Sequence, residues 1–217
     1  MKNNKGIIWI TSLLCLLPII FSAVVYEALP EQIAVHWNSA GVGDNYVHKA
    51  IAAFGLPVIF LAINLLSRVR LVNDPKSGQS QAIKQLGIWL IPALSIVLVP
   101  ITLAIAMGAD IPIVMVSTLL VGLLLVVIGN YLPKSRQNYT IGIKLPWTLN
   151  DVDNWNKTHR LAGYLYIIGG IALIIGNLLL SVPSLQLAVM LGTIILLVLV
   201  PAVYSYLLYK RGNARSK

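Results

Sequence analysis

Residues 86–107 read LGIWLIPALSIVLVPITLAIAM, twenty-two positions with no charged side chain. A bilayer's hydrocarbon core is crossed by about 20 mostly apolar helical residues, so this stretch is long enough to span one. Working outward, five further runs have the same character: about 7–26, 50–66, 111–132, 161–181 and 185–209. A chain that is 58% hydrophobic and only 11% charged, with mean hydropathy +0.83, exceeds what a soluble domain carries. Lipid offers backbone N–H and C=O groups no partner, so all six runs are expected to be helices. The sequence predicts an all-α polytopic membrane protein with six transmembrane helices in three helical hairpins.

The charges orient it. Six spans put both termini on one side, together with the 68–84 and 133–160 loops. That side holds Lys2, Lys5, Arg68, Arg70, Lys76, Lys84, Lys134, Arg136, Lys144, Lys157, Arg160, Lys210, Arg211, Arg215 and Lys217, against Lys49 alone on the other. The positive-inside rule then places both termini in the cytoplasm. The net charge of +9 is accounted for by this bias and by attraction to anionic lipid, without direct nucleic-acid binding. Lys2 and Lys5 ahead of an apolar run also fit a signal peptide, a weaker reading because the run is long and five more follow. Cys15 is the single cysteine, so no intramolecular disulfide forms.

The expected organisation is a first hairpin over 1–67 with a long extracellular loop at 27–49, a cytoplasmic loop at 68–84, a second hairpin over 85–132, a cytoplasmic motif loop at 133–160, and a third hairpin with a basic tail over 161–217. The 27–49 loop mixes apolar and aromatic residues with turn signals. Ile33, Val35 and Trp37 alternate with Gln32, Ala34 and His36, the period of an extended segment. Gly41 and Gly43 supply turn chemistry, so a short extended cap is expected outside.

The 141–160 stretch, IGIKLPWTLNDVDNWNKTHR, is the polar anomaly of the chain. Pro146 disfavours helix just before it, and Thr148 with Asp151 resembles a capping box, so a helix is expected from about Leu149. Leu149, Val152 and Trp155 share one face and Asp153 pairs with Lys157 at i,i+4. An interfacial, cytoplasmic amphipathic helix with Trp155 at headgroup depth follows, with Arg160 placed for a lipid phosphate or for Asp151.

Catalytic and metal chemistry find little support. His36 and His48 fall on one side and His159 on the other, without zinc spacing; hydrogen-bonded structural histidines are preferred to a metal site, and no cofactor is implied. No HExxH, no GxSxG and no paired intramembrane glutamates occur, so no enzyme is read here. With no ionisable residue deep in a run, coupled ion transport is disfavoured. Asn64 and Asn177 are assigned to interhelical hydrogen bonds. Pro18, Pro57, Pro92, Pro100 and Pro201 are read as kinks, and Gly122, Gly129, Gly163, Gly169, Gly170 and Gly176 as small faces for helix contact.

Two segments carry a resemblance. LPEQIAVHWNSAGVGDNYVHK, 29–49, resembles the outer motif of a widespread bacterial membrane domain, through Pro30, His36, Trp37, Asn38, Gly41 and Asp44. NYTIGIKLPWTLNDVDNWNKTHRLAG, 138–163, resembles the signature of the SdpI family, immunity proteins against the sporulation delaying protein toxin of bacilli. There Asn138, Gly142, Pro146, Trp147, Thr148, Trp155, His159, Arg160 and Gly163 match. The resemblance implies a multi-pass protein of the bacterial cytoplasmic membrane that protects its host from a secreted, membrane-active peptide toxin met at the outer face. It further implies signalling, in which a small winged-helix repressor is held at the cytoplasmic face. An orphan membrane sensor and a passive exporter of small amphiphiles are the alternatives.

Overall fold

A computed structural model describes residues 5–75 and 81–215; Lys2, Lys76 and Lys217 of the charge count lie outside them. The chain is mostly helical, and six helical stretches are long and apolar enough to cross a membrane: Gly6–Ala28, Ile51–Val72, Lys84–Ala106, Ile113–Lys134, Val152–Leu179 and Pro183–Gly212. They overlap all six apolar runs of the sequence. Their outward faces carry large apolar side chains, such as Val24, Ile168 and Leu179, left bare of protein contact as lipid-facing residues are. Two compact units are formed, one from Met1–Val72 with Lys84–Ile113 and the other from Asn73–Ile83 with Val114–Lys217.

In the first unit, α1 (Lys5–Leu16) and α2 (Pro18–Val25) form one span interrupted at Pro18, whose missing N–H breaks the hydrogen-bond ladder. A 3-10 turn at Tyr26–Ala28 ends it. Two strands follow, β1 (Gln32–Trp37) and β2 (Gly43–His48), paired antiparallel. The expected extended cap is therefore a β-hairpin, whose two strands are the only ones among the described residues. Its register runs Gln32 to His48, Ile33 to Val47 and Ala34 to Tyr46, then slips, with His36 opposite Asn45 and Trp37 opposite Gly43. The slip leaves Val35 out of the pairing, so the alternation expected for Ile33, Val35 and Trp37 is interrupted; a bulge re-aims side chains in this way. Ile33 is nonetheless fully buried, in a core with Leu29, Ala52, Ala53, Val99 and Leu103.

A wide helical turn at Ile51–Gly55 leads into α3 (Leu56–Val72). It sits just before Pro57, where an amide is missing from the ladder. The fourth helix, α4 (Gln81–Ala106), continues through Pro92 and Pro100. Asn64 donates to Thr11 Oγ1 at 3.3 Å, the interhelical bond expected of it, and Ser95 donates to the Cys15 carbonyl at 2.8 Å.

The second unit contains α5 (Ile113–Tyr131), α6 (Pro146–Asn150), α7 (Val152–Leu179) and α8 (Pro183–Arg215). Helices α5 and α7 touch backbone to backbone. A Cβ on Gly122 would stand 3.0 Å from the Gly170 carbonyl, and one on Gly129 2.8 Å from that of Gly163. Four of the six glycines read as small faces are thus the contact itself. Gly169 meets only side chains of α8, and Gly176 meets nothing. Asn177 donates to the Met115 carbonyl at 3.0 Å, again across helices.

Candidate functional site

Asn138, Gly142, Thr148, Trp155 and His159 of the 138–163 motif assemble into one packed and hydrogen-bonded knot of the second unit. Asn138 is fully buried and uses both ends of its amide: Nδ2 donates to the carbonyls of Arg136 at 2.8 Å and Ile141 at 2.9 Å, and Oδ1 accepts from the amides of Thr140 at 2.9 Å and Ile141 at 2.7 Å. A short side chain that bonds backbone two and three residues on replaces regular structure with a fixed turn. The 135–145 segment owes its shape to this residue.

Gly142 follows with φ +127, and a Cβ there would lie 2.5 Å from His159 Nε2 and 2.9 Å from the Trp155 ring. Only glycine fits such a backbone against such neighbours. The Trp155 and His159 rings stack with centroids 3.9 Å apart. Trp155 donates its indole N–H to the Ser135 carbonyl at 2.8 Å. His159 Nδ1 faces the Trp155 carbonyl at 2.8 Å, and its Nε2 accepts from the Ile143 amide at 2.9 Å. One ring nitrogen must donate and the other accept, which is the hydrogen-bonding pattern of a neutral imidazole with its proton on Nδ1.

Two expectations change here. Trp155 is buried to 0% exposure and so does not face lipid headgroups: residues 135–143 fold over that face of the helix and give its N–H a partner. The capping residues are also reassigned. Helix begins at Pro146, an N1 position suited to its fixed φ, and Thr148 Oγ1 accepts from the Leu145 amide at 2.8 Å. Helix α6 stops at Asn150, and Asp151 is the N-cap of α7, accepting from the amides of Asp153 at 2.8 Å and Asn154 at 3.1 Å. Thr148 and Asp151 therefore cap two successive helices instead of sharing one box. The Asp153–Lys157 pair forms at 2.7 Å. Arg160 is exposed and enters none of the ion pairs among the described residues.

Trp147 packs against Tyr206 and Tyr209 of α8, with ring centroids 5.4 and 6.0 Å away, and its buried indole N–H has no acceptor among the described residues. Gly163 lies under Pro133, whose Cγ would stand 2.6 Å from an added Cβ. Three contributors escaped the sequence reading. Asp74, only 6% exposed, accepts from the Tyr139 amide at 3.0 Å and from the Thr140 hydroxyl; a lone acid in a basic loop was its one signal. Asn154 and Ser205 join α7 to α8, Asn154 Nδ2 donating to the Ser205 carbonyl at 2.9 Å and Ser205 Oγ donating back to Asn154 Oδ1 at 2.7 Å. Nothing in their local sequence marks that pairing.

The 29–49 motif residues belong to the β-hairpin of the first unit. Asn38 Oδ1 accepts from the Ala40 and Val42 amides at 2.9 and 3.1 Å, and Gly41 takes φ +80, so both make the turn. His36 and Asp44 pair across the strands at 2.5 Å, each with its side chain well exposed. Pro30 is exposed and Trp37 half-buried. At the hairpin base Glu31 pairs with Lys49 at 2.9 Å and with His48 at 3.3 Å. The Lys49 hydrogen bond and charge, helped by His48, hold the Glu31 carboxyl below its ordinary range, and the same bond raises Lys49. His36 meets Asp44 while His48 turns to Glu31, and no group of three metal-ligating side chains occurs among the described residues.

A family model described as the SdpI/YfhL protein family matches residues 134–205. A second model, described as a domain of unknown function (DUF1648), matches 13–61, the segment that holds the hairpin. Over almost its whole length the chain is similar to a Bacillus subtilis (strain 168) protein named Immunity protein SdpI, 27% identical across 98% of this chain and 99% of the relative. No solved structure matches. The matched residues 134–205 contain the 135–163 knot and its Asn154–Ser205 tie to α8.

Proposed function

We propose that this protein is a multi-pass immunity protein of the bacterial cytoplasmic membrane, both termini inside, that protects its host from a secreted membrane-active peptide toxin. The observation that carries the reading is end-to-end similarity to a protein named as an immunity protein, together with the six apolar helices. The cation distribution, fifteen against one, supports the orientation, and the helices are read as three hairpins. In this arrangement the β-hairpin stands at the outer leaflet, where a membrane-active peptide arrives. Pro30, His36, Trp37, Asn38, Gly41 and Asp44 form its surface: the turn residues hold it in shape, Trp37 offers apolar contact, and Asp44 with Glu27 and Glu31 favours a cationic peptide.

The knot is a rigid support for a cytoplasmic surface carrying Val152, Lys157 and Arg160, on which a soluble winged-helix repressor docks. That surface is more polar than membrane apposition requires, which supports a protein partner. Membrane potential of a sensitive Gram-positive host, measured after adding the sporulation delaying toxin, tests the central claim. Potential held only when this protein is expressed is the expected result; equal collapse with and without it would remove cognate immunity to that toxin. For the second layer, a soluble protein retained on membranes only when this chain is present is expected, and its absence with and without toxin would remove the docking role.

A further inference from the structure

In the first unit α1 and α3 lie side by side and antiparallel, Thr11 meeting Asn64 and Ile7 meeting Arg68. Arg68 stands inside the apolar stretch Ile51–Val72, about one helical turn from its end. Its Nη2 donates to Thr11 Oγ1 and, at 3.2 Å, to the Ile7 carbonyl, a residue in the first turn of α1. Thr11 in turn donates to Ile7 at 2.9 Å and accepts from Asn64.

The cluster is polar but incomplete. Arg68 Nε is sealed from solvent with no acceptor, and Asn64 Oδ1, on a side chain of 0% exposure, has no donor. No carboxylate pairs with the guanidinium: the four ion pairs among the described residues involve Glu31, Asp44 and Asp153 only. An arginine one turn inside the end of a span reaches toward the interface, and without a carboxylate partner its charge is left to be met by headgroup phosphates. Its neighbours Leu65, Leu66 and Val69 face outward and exposed, while Arg68 itself is partly buried. The Nη1 end of the guanidinium, neither bonded among the described residues nor among the sealed atoms, therefore lies where lipid reaches it.

We propose that the α1–α3 crevice binds the phosphate of an anionic phospholipid, with Arg68 as the anchoring cation and Thr11 and Asn64 holding it in position. Nη2 spends its hydrogens on Thr11 and Ile7 and Nε is sealed, so Nη1 is the donor left for a phosphate oxygen, aimed by the fixed guanidinium plane in a way that a freely rotating lysine ammonium does not reproduce. The bound lipid completes the charge balance of the crevice. This inference is independent of the immunity reading, because it concerns the leaflet that meets this end of the two helices and not the toxin.

Native mass spectrometry of the purified full-length protein, in neutral detergent with phosphatidylglycerol or phosphatidylcholine added, tests it. One phosphatidylglycerol should remain on the wild-type protein in several-fold preference to phosphatidylcholine. Retention should fall at least fivefold in R68Q and partly in R68K, and stay unchanged in K210Q, which removes the same charge from an exposed position elsewhere. R68K keeps the charge and the stem, so it decides the matter if R68Q fails to fold. Equal retention in wild type and R68K, or equal retention of the two lipids, overturns the proposal. Displacement of the lipid by millimolar inorganic phosphate would assign the crevice to the free anion and overturn the lipid assignment.

Discussion

Gly142 and Asn138 show how much of the 135–163 knot rests on single residues. At φ +127, with His159 Nε2 2.5 Å from where a Cβ would stand, Gly142→Ala meets both a strained backbone and a collision. Backbone strain of that kind costs roughly 1–3 kcal/mol before any clash is counted, so the variant should unfold several degrees below wild type in detergent; an unchanged transition would refute the packing described. Asn138→Ala removes an amide with four bonds to backbone groups and leaves those of the 135–141 turn unmet. A loss of about 1–3 kcal/mol is expected from unsatisfied buried groups, and Asn138→Asp should be damaging too, because a carboxylate has no N–H for the Arg136 and Ile141 carbonyls. The glycine and the asparagine were legible as motif positions, but their partners were not. His159 lies sixteen residues from Ile143, and no local pattern announces which amide an imidazole will accept.

At the scale of elements, the β-hairpin and the α5–α7 contact lead to separate expectations. Glu31 ties the start of β1 to the end of β2 through Lys49 and His48, and its carboxyl lies below its usual range. A depressed acid stabilises the folded form above its unfolded pKa, about 4.3 for glutamate, and that contribution is lost as pH falls through the lower folded value. Hairpin amides, that of Lys49 first since it bonds the Glu31 carbonyl at 2.9 Å, should exchange faster at pH 3 than the intrinsic rate change explains. Glu31→Gln should weaken protection at pH 7 and flatten the pH response; an identical profile would separate the hairpin from this pair. The period-2 pattern showed an extended segment, yet the bulge at Val35 was not foreseeable, because register depends on both strands and on the core that takes Ile33. In α5, Gly129→Leu would place a side chain against the Gly163 carbonyl, 2.8 Å from its Cβ, and should lower the melting transition, whereas Gly176→Leu, facing open space, should not.

For the whole molecule, orientation is the nearest measurement. In a Cys15→Ser background, a cysteine at Lys49 should be labelled by an impermeant maleimide from outside intact cells, while one at Lys210 should react only after permeabilisation; the reverse pattern would invert the proposed topology and remove the hairpin from the toxin's path. The sequence by itself determined the membrane class, the six helices and the unusual character of both motif loops. Those properties follow from local composition: apolar length against bilayer thickness, and lipid's inability to satisfy a backbone. Tertiary structure alone decided that Trp155 is sealed beneath the 135–143 loop and not anchored in headgroups, that Thr148 and Asp151 cap different helices, and that Asp74, Asn154 and Arg68 complete polar clusters with residues 51 to 66 positions away. An amphipathic helix face is equally satisfied by lipid or by a loop of its own chain, and only the folded path says which one covers it.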